Sequence, residues 1–132
     1  MEATLKNVLP LFAIINTDLL EWDSKVSHPW IAELNIKYDR SNSNGMPNSE
    51  DYELLNVIED EIMKAMKDSE GYLNNGRQTA DSGRTIYFAC KDFRKPFKIF
   101  DNLKSKHKNR IAIDFDIYKD KYWRSLERFR LY

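Results

Sequence analysis

The chain has 132 residues, 21 Lys and Arg against 21 Asp and Glu, 42% hydrophobic residues and a single cysteine. That size and mixture describe one globular domain able to bury its own core, and they exclude a disordered or fibrous chain. Zero formal net charge offers nucleic acid no bulk attraction, one thiol forms no internal disulfide, and no apolar run reaches the length of about 20 residues that a membrane span needs.

A reducing compartment, the cytoplasm, is therefore expected, with no signal peptide in the mixed-polarity start. Residues 9–15 form an apolar run with β-branched members and read as a strand, with Pro10 near its start where a missing donor is tolerated. Residues 16–29 keep no steady period and read as an irregular connection. Residues 30–38 alternate cleanly. Trp30, Ala32, Leu34, Ile36 and Tyr38 point one way, and Ile31, Glu33, Asn35 and Lys37 the other, which predicts one buried and one wetter face. Residues 39–48 are a loop by composition.

Asn48 or Ser49 is placed to cap a helix, and Glu50 and Asp51 suit the positive end of its dipole. Leu55, Ile58, Ile62, Ala65 and Met66 recur at helical spacing and carry that helix to about Asp68, with Gly71 ending it or opening the next strand. Residues 72–79 read as a strand interrupted by Asn74, Asn75 and Gly76. A hairpin turn follows at 80–83, then a strand at 85–90 with Ile86, Phe88 and Cys90 on one face. Asp92 is placed to cap a second helix with the apolar stripe Phe93, Phe97, Phe100 and Leu103, and Pro96 requires that helix to begin near Lys95. Residues 110–118 form the last strand, with Ile111, Ile113, Phe115 and Ile117 inward and Ala112, Asp114, Asp116 and Tyr118 outward. The basic, aromatic tail 119–132 docks through Trp123, Leu126 and Phe129.

The central order is strand, helix, strand, strand, helix, strand. That is the split βαβ plan of a ferredoxin-like α+β sandwich, an antiparallel sheet with two helices on one face. An extra N-terminal strand and the docked tail complete a single domain, 1–132.

Chemistry-bearing residues are few. Glu59, Asp60 and Glu61 stand in a row, but successive helix positions point about 100 degrees apart and do not converge on one ligand. Glu59 is placed instead to reach Arg77 or Arg84 on the hairpin. Asp114 and Asp116 share a face with Glu33, Asn35 and Lys37. This is the best constellation for a divalent cation or an acid/base pair, and equally the solvated face that a sheet covered on one side needs. His28 and His107 lack zinc spacing, and Cys90 reads as a core thiol rather than a nucleophile. No residue is assigned as catalytic, metal-binding or cofactor-binding. The cations of 91–110 and of the tail keep RNA binding open, although the carboxylates of the sheet face would repel phosphate.

A set of short segments now stands in order along nearly the whole chain. They are Asn16 and Thr17, Asn44-Gly45-Met46-Pro47, Ile58-Glu59-Asp60, Gly76-Arg77-Gln78-Thr79, Ile86-Tyr87-Phe88 and Tyr122-Trp123. Together they resemble a bacterial family catalogued as domain of unknown function 695. That family looks related in fold to the regulator of ribonuclease E activity B, a ferredoxin-like protein that acts by binding an enzyme. The resemblance implies a fold and no reaction.

The expectation is a non-catalytic protein-interaction module, such as a regulator, an adaptor or an immunity-type inhibitor. It would bind a protein partner without a cofactor or a membrane, as a monomer or weak homodimer. Its candidate contact residues are Asn44, Gly45, Met46, Pro47, Glu50, Asp51, Glu53, Glu59 and Asp60. The alternatives are an RNA-binding protein using 91–110 and the tail, and a hydrolase using the polar sheet face.

Overall fold

A computed structural model describes residues 2–4, 10–15, 19, 25–38, 49–80 and 83–131. The loop residues Asn44, Gly45, Met46 and Pro47 lie outside the described residues, as do Asn16, Thr17 and Asn48. The strands are β1 (Glu2–Thr4), β2 (Pro10–Ile15), β3 (Trp30–Lys37), β4 (Tyr72–Ala80), β5 (Gly83–Cys90) and β6 (Ala112–Lys119). The helices are α1 (Ser49–Ala65) and α2 (Arg94–His107). Short 3₁₀ segments run over Lys25–Ser27, Asp68–Glu70 and Arg124–Leu131.

All pairings are antiparallel, and the strand order is β1-β2-β4-β5-β3-β6. The inner order β4-β5-β3-β6, with α1 between β3 and β4 and α2 between β5 and β6, is compatible with the split βαβ plan. The extra N-terminal strands lie beyond β4. Both helices pack on one face of the sheet. Ala32, Leu34 and Ile36 of β3 and Ile86, Phe88 and Cys90 of β5 meet Leu55, Ile58 and Ile62 of α1 and Phe100 and Leu103 of α2 in one core. The alternation along β3 thus buries the face that its sequence foretells.

The opposite face is wet only in part. Trp123 and Leu126 of the C-terminal segment cover Ile31, Tyr87 and Ala89, forming a second apolar cluster with Tyr118 packed beside it. Ile31 and Tyr118 therefore turn away from the helices without turning to open water. Trp123 adopts a positive φ of 55°, and its indole Nε1–H donates to the His28 carbonyl at 2.8 Å. The tail docks through Trp123 and Leu126 as expected, and the Phe129 side chain lies outside the described residues.

Several boundaries shift: β4 runs on to Ala80, β5 opens at Gly83 and β6 spans Ala112–Lys119, against the expected 72–79, 85–90 and 110–118. The first helix stops at Ala65, three residues short of Asp68, because Met66 drops into the core and Lys67 is extended. Gly71, at φ +99°, then closes the 3₁₀ turn Asp68–Glu70. In α2, Pro96 lies in the first turn and Phe93, not Asp92, stands at the N-cap, while the Asp92 Oδ1 one residue earlier accepts from the Lys95 amide at 3.3 Å.

The C-terminal cover hangs on Asp120. Its carboxylate accepts the Arg124 amide at 2.9 Å and the Ser125 amide at 2.8 Å, while its own amide donates to the Pro29 carbonyl at 2.7 Å. Burial raises the Asp120 pKa, but the hydrogen bonds from Ser125 and Arg124 outweigh it and leave the carboxyl below its ordinary value of 3.8. A depressed folded pKa adds stability that is present above the unfolded value and lost as pH falls through the folded one. Asp120→Ala should therefore lower stability by about 1 kcal/mol at pH 7, with the gap to wild type closing below pH 3.8. Urea unfolding of both proteins across that range checks the sign, and a gap that widens in acid would be the wrong one.

Candidate functional site

Among the described residues, an enclosed cluster of charged groups joins α1 to the β4–β5 hairpin. The register Arg77↔Ile86 and Thr79↔Arg84 turns Arg77, Thr79 and Arg84 toward the helix side of the sheet. Glu59 follows Ile58, which is fully buried, so its carboxylate comes down beside those strands. It accepts from Arg77 Nη1 at 3.0 and 2.8 Å and from Arg84 Nη1 at 2.7 Å. Arg84 Nε donates to Thr79 Oγ1 at 3.0 Å, and the guanidinium lies 5.8 Å from the centre of the Tyr52 ring. The Arg84 side chain is only 3% exposed and that of Glu59 16%. Burial pulls the Arg84 pKa down, and the Glu59 carboxylate partly restores it. The expected reach from Glu59 to Arg77 or Arg84 is made to both.

The remaining acids of α1 divide. Glu50 lies 3.5 Å and Asp51 3.8 Å from Arg110 Nη2, and the Asp51 side chain is buried. Glu61 meets Lys106 at 3.0 Å and His107 at 3.6 Å. Glu53 and Asp60 are exposed. The acidic helix and the basic helix thus attract one another directly. The candidate set Glu50, Asp51, Glu53, Glu59 and Asp60 does not converge. Glu59 faces the hairpin, and Glu50 and Asp51 face Arg110.

The polar sheet face forms as its alternation implies. Glu33 lies opposite Asp116, and Asn35 opposite Asp114. The Tyr118 hydroxyl donates to Glu33 Oε1 at 2.8 Å and accepts from Ser125 Oγ at 2.9 Å, and Thr85 Oγ1 donates to Asn35 Oδ1 at 2.8 Å. Lys37 stands opposite Ala112, and it is Lys104 of α2 that reaches Asp114, at 3.7 Å. Among the described residues, no group of three or more His, Cys, Asp and Glu is placed to hold a metal ion.

Cys90 is fully buried in the core, and burial, with Asp92 nearby, pushes its thiol pKa well above the ordinary value. It is protonated and shielded at neutral pH. The adjoining basic pocket, about 440 Å³, is lined by Glu70, Tyr72, Lys91, Asp92, Arg94, Lys95 and Lys98. Its charges are partly matched, since Lys95 lies 3.7 Å from Glu70 and the Tyr72 hydroxyl donates to Asp92 at 2.9 Å.

The feature that sequence reasoning missed lies at the start of α2. Helical spacing puts Phe93 and Phe97 on the buried stripe with Phe100 and Leu103, yet they are 43% and 52% exposed. Both rings lie over the β3–β6 end of the sheet, and among the described residues no strand pairs beyond β6 to cover their outer sides. With Trp30, Phe115, Asp116 and Ile117 they line a groove of about 360 Å³. Trp30 and Phe93 pack at a tilt with ring centres 4.9 Å apart, and Phe97 meets Phe115 edge-on at 5.5 Å. The clue available beforehand was the chain order alone, which puts the last strand of a split βαβ unit at an edge.

Removing Glu59 leaves the Arg84 guanidinium buried without its carboxylate. Glu59→Ala should cost about 3 kcal/mol, and Arg77→Ala, at a more exposed group, about 1 kcal/mol. The double variant Glu59→Ala with Arg84→Met should recover part of the loss, because it removes both buried charges together. Urea midpoints at constant slope measure all three.

A family model described as Family of unknown function (DUF695) matches residues 6–130. No curated protein and no solved structure matches the chain. The matched span contains Glu59, Arg77, Thr79 and Arg84, which the ordered segments of the sequence had marked in part and which the fold brings into one cluster. The chain belongs to that family of unknown function.

Proposed function

We propose that this is a non-catalytic protein-interaction module of the bacterial cytoplasm, a regulator, adaptor or inhibitor that works by holding another protein. The observation that carries this reading is the groove at the β6 edge. Phe93 and Phe97 hold half-exposed rings around it, at a packing cost to the monomer that a bound partner would remove. The paired charged groups serve the fold instead. Glu59 is matched by Arg77 and Arg84, Glu61 by Lys106, and Glu50 by Arg110, so these groups brace the fold. The RNA reading draws on Lys91, Arg94, Lys95 and Lys98 sharing one pocket, but Lys95, Lys104, Lys106 and Arg110 each face a carboxylate, which breaks the stretch as a continuous phosphate track.

Affinity capture from source-cell extract with cross-linking tests the reading on three proteins. They are wild type, Phe93→Ser with Phe97→Ser, and Glu50→Lys with Glu53→Lys. The expected result is a protein recovered by wild type and lost at least tenfold in the phenylalanine variant, with the fold intact by circular dichroism. Loss in the charge-reversed variant instead would move the contact surface to the acidic start of α1. Recovery of RNA and no protein, abolished by nuclease, would reject the interaction reading.

A further inference from the structure

β6 is the terminal strand of the sheet, and among the described residues nothing pairs with its outer edge. The two faces of that edge differ in chemistry. On the helix side, Phe115 and Ile117 open into the groove walled by Phe93 and Phe97. On the other side stand Asp114 and Asp116, both exposed. The Phe115 amide donates to the Asp114 Oδ1 at 3.0 Å, so this backbone donor is satisfied by the neighbouring side chain in place of a strand.

We propose that the β6 edge binds an extended segment of another protein by strand addition, and that the segment alternates apolar residues with Lys or Arg. This rests on the interaction reading above and names its mode and the chemistry of its partner. A strand laid along β6 sends alternate side chains to opposite faces. Those on the helix side enter the Phe93, Phe97, Phe115, Ile117 and Trp30 groove. Those on the other side come within cross-strand distance of Asp114 and Asp116, where cations are favoured and carboxylates are not. The incoming carbonyl takes the Phe115 amide, and the Asp114 carboxylate is released toward the incoming cation.

The same charges argue against a second copy as the occupant. In antiparallel self-pairing centred on Asp114 or Asp116, that residue meets its own equivalent, and centred on Phe115, Asp114 meets Asp116. Each of these registers sets carboxylate against carboxylate. Self-pairing therefore lacks the complementarity that a basic, alternating strand supplies.

The probe is a capped eight-residue peptide alternating Lys with Ile and Val, titrated by calorimetry and by amide NMR. Controls are the same peptide with Glu for Lys, and a scrambled peptide without alternation. Wild type is expected to bind the alternating basic peptide in the micromolar range, with the Phe115 amide shifted and protected from exchange. Both controls, and the variants Phe97→Ser and Asp116→Lys, should each bind at least tenfold more weakly. The two substituted side chains are half-exposed or exposed, so folding survives in both. Equal binding of the Glu peptide, or binding that leaves the Phe115 amide unprotected, overturns strand addition. A dimer in sedimentation that Asp116→Lys or Phe97→Ser disrupts overturns it in favour of self-pairing. If the peptide fails while extract capture still yields a protein cross-linked elsewhere, the edge proposal falls and the interaction reading stands. Failure of both experiments removes both.

Discussion

A carboxylate caught between two guanidiniums decides where the first helix lies. Apolar packing alone tolerates rotation of α1 about its axis and sliding along the sheet, because Leu55, Ile58 and Ile62 offer a stripe without direction. Glu59 removes that freedom. Its contacts with Arg77 and Arg84 come from adjacent strands of one hairpin, so the helix must sit at one height and one rotation to satisfy both. The arrangement is tense as well as specific. Arg84 is almost wholly buried, and a guanidinium without its partners there would be strongly unfavourable. Thr79 and the Tyr52 ring complete its surroundings, so hairpin, helix and side-chain stack hold one another in place.

Much of the architecture was legible because period is a local property. The alternation in β3 and β6 assigned their faces correctly, and the polar pairs Glu33 with Asp116 and Asn35 with Asp114 follow from it once the strands are adjacent. The link from Glu59 to the hairpin was also within reach, since the buried stripe sets the direction of Glu59 and the hairpin supplies the nearest cations. What stayed hidden depends on distant neighbours. Ile31 falls on the face that alternation calls wetter, yet it is fully buried because a segment over ninety residues later lies across it. Phe93 and Phe97 show the reverse. Their helical spacing matches that of Phe100 and Leu103, but a stripe becomes core only where it is covered on every side, and among the described residues the sheet has no strand beyond β6 to do so.

The charge layout carries a similar lesson about what composition conceals. Zero net charge hides an acidic helix beside a basic one, and the contacts of Glu61 with Lys106 and of Glu50 with Arg110 show that the separation is used inside the molecule. Pairs this exposed contribute little each. Their effect is to consume the field that either helix would otherwise present to solvent. A basic stretch read from sequence alone is therefore a poor guide to a phosphate surface, because the acids that answer it can come from another element.

The two ends of the sheet meet the edge problem differently. Among the described residues, one end of the sheet is β1, a three-residue strand, and short edges offer little to pair with. At the other, β6 is eight residues long and apolar toward the helix side. A strand like that invites indiscriminate pairing unless something opposes it. Asp114 and Asp116 do so on the open face, and Asp114 also occupies the Phe115 amide. The same acids that discourage a second copy would select a strand of opposite charge, so protection and specificity are one device. The cost of opening it is small. The Asp114 hydrogen bond is local and solvent-exposed, and its contact with Lys104 is long, at 3.7 Å. A partner strand therefore needs no rearrangement of the core to displace them, and the rigid bracing of α1 by Glu59 leaves this far edge free to vary its contacts without disturbing the fold.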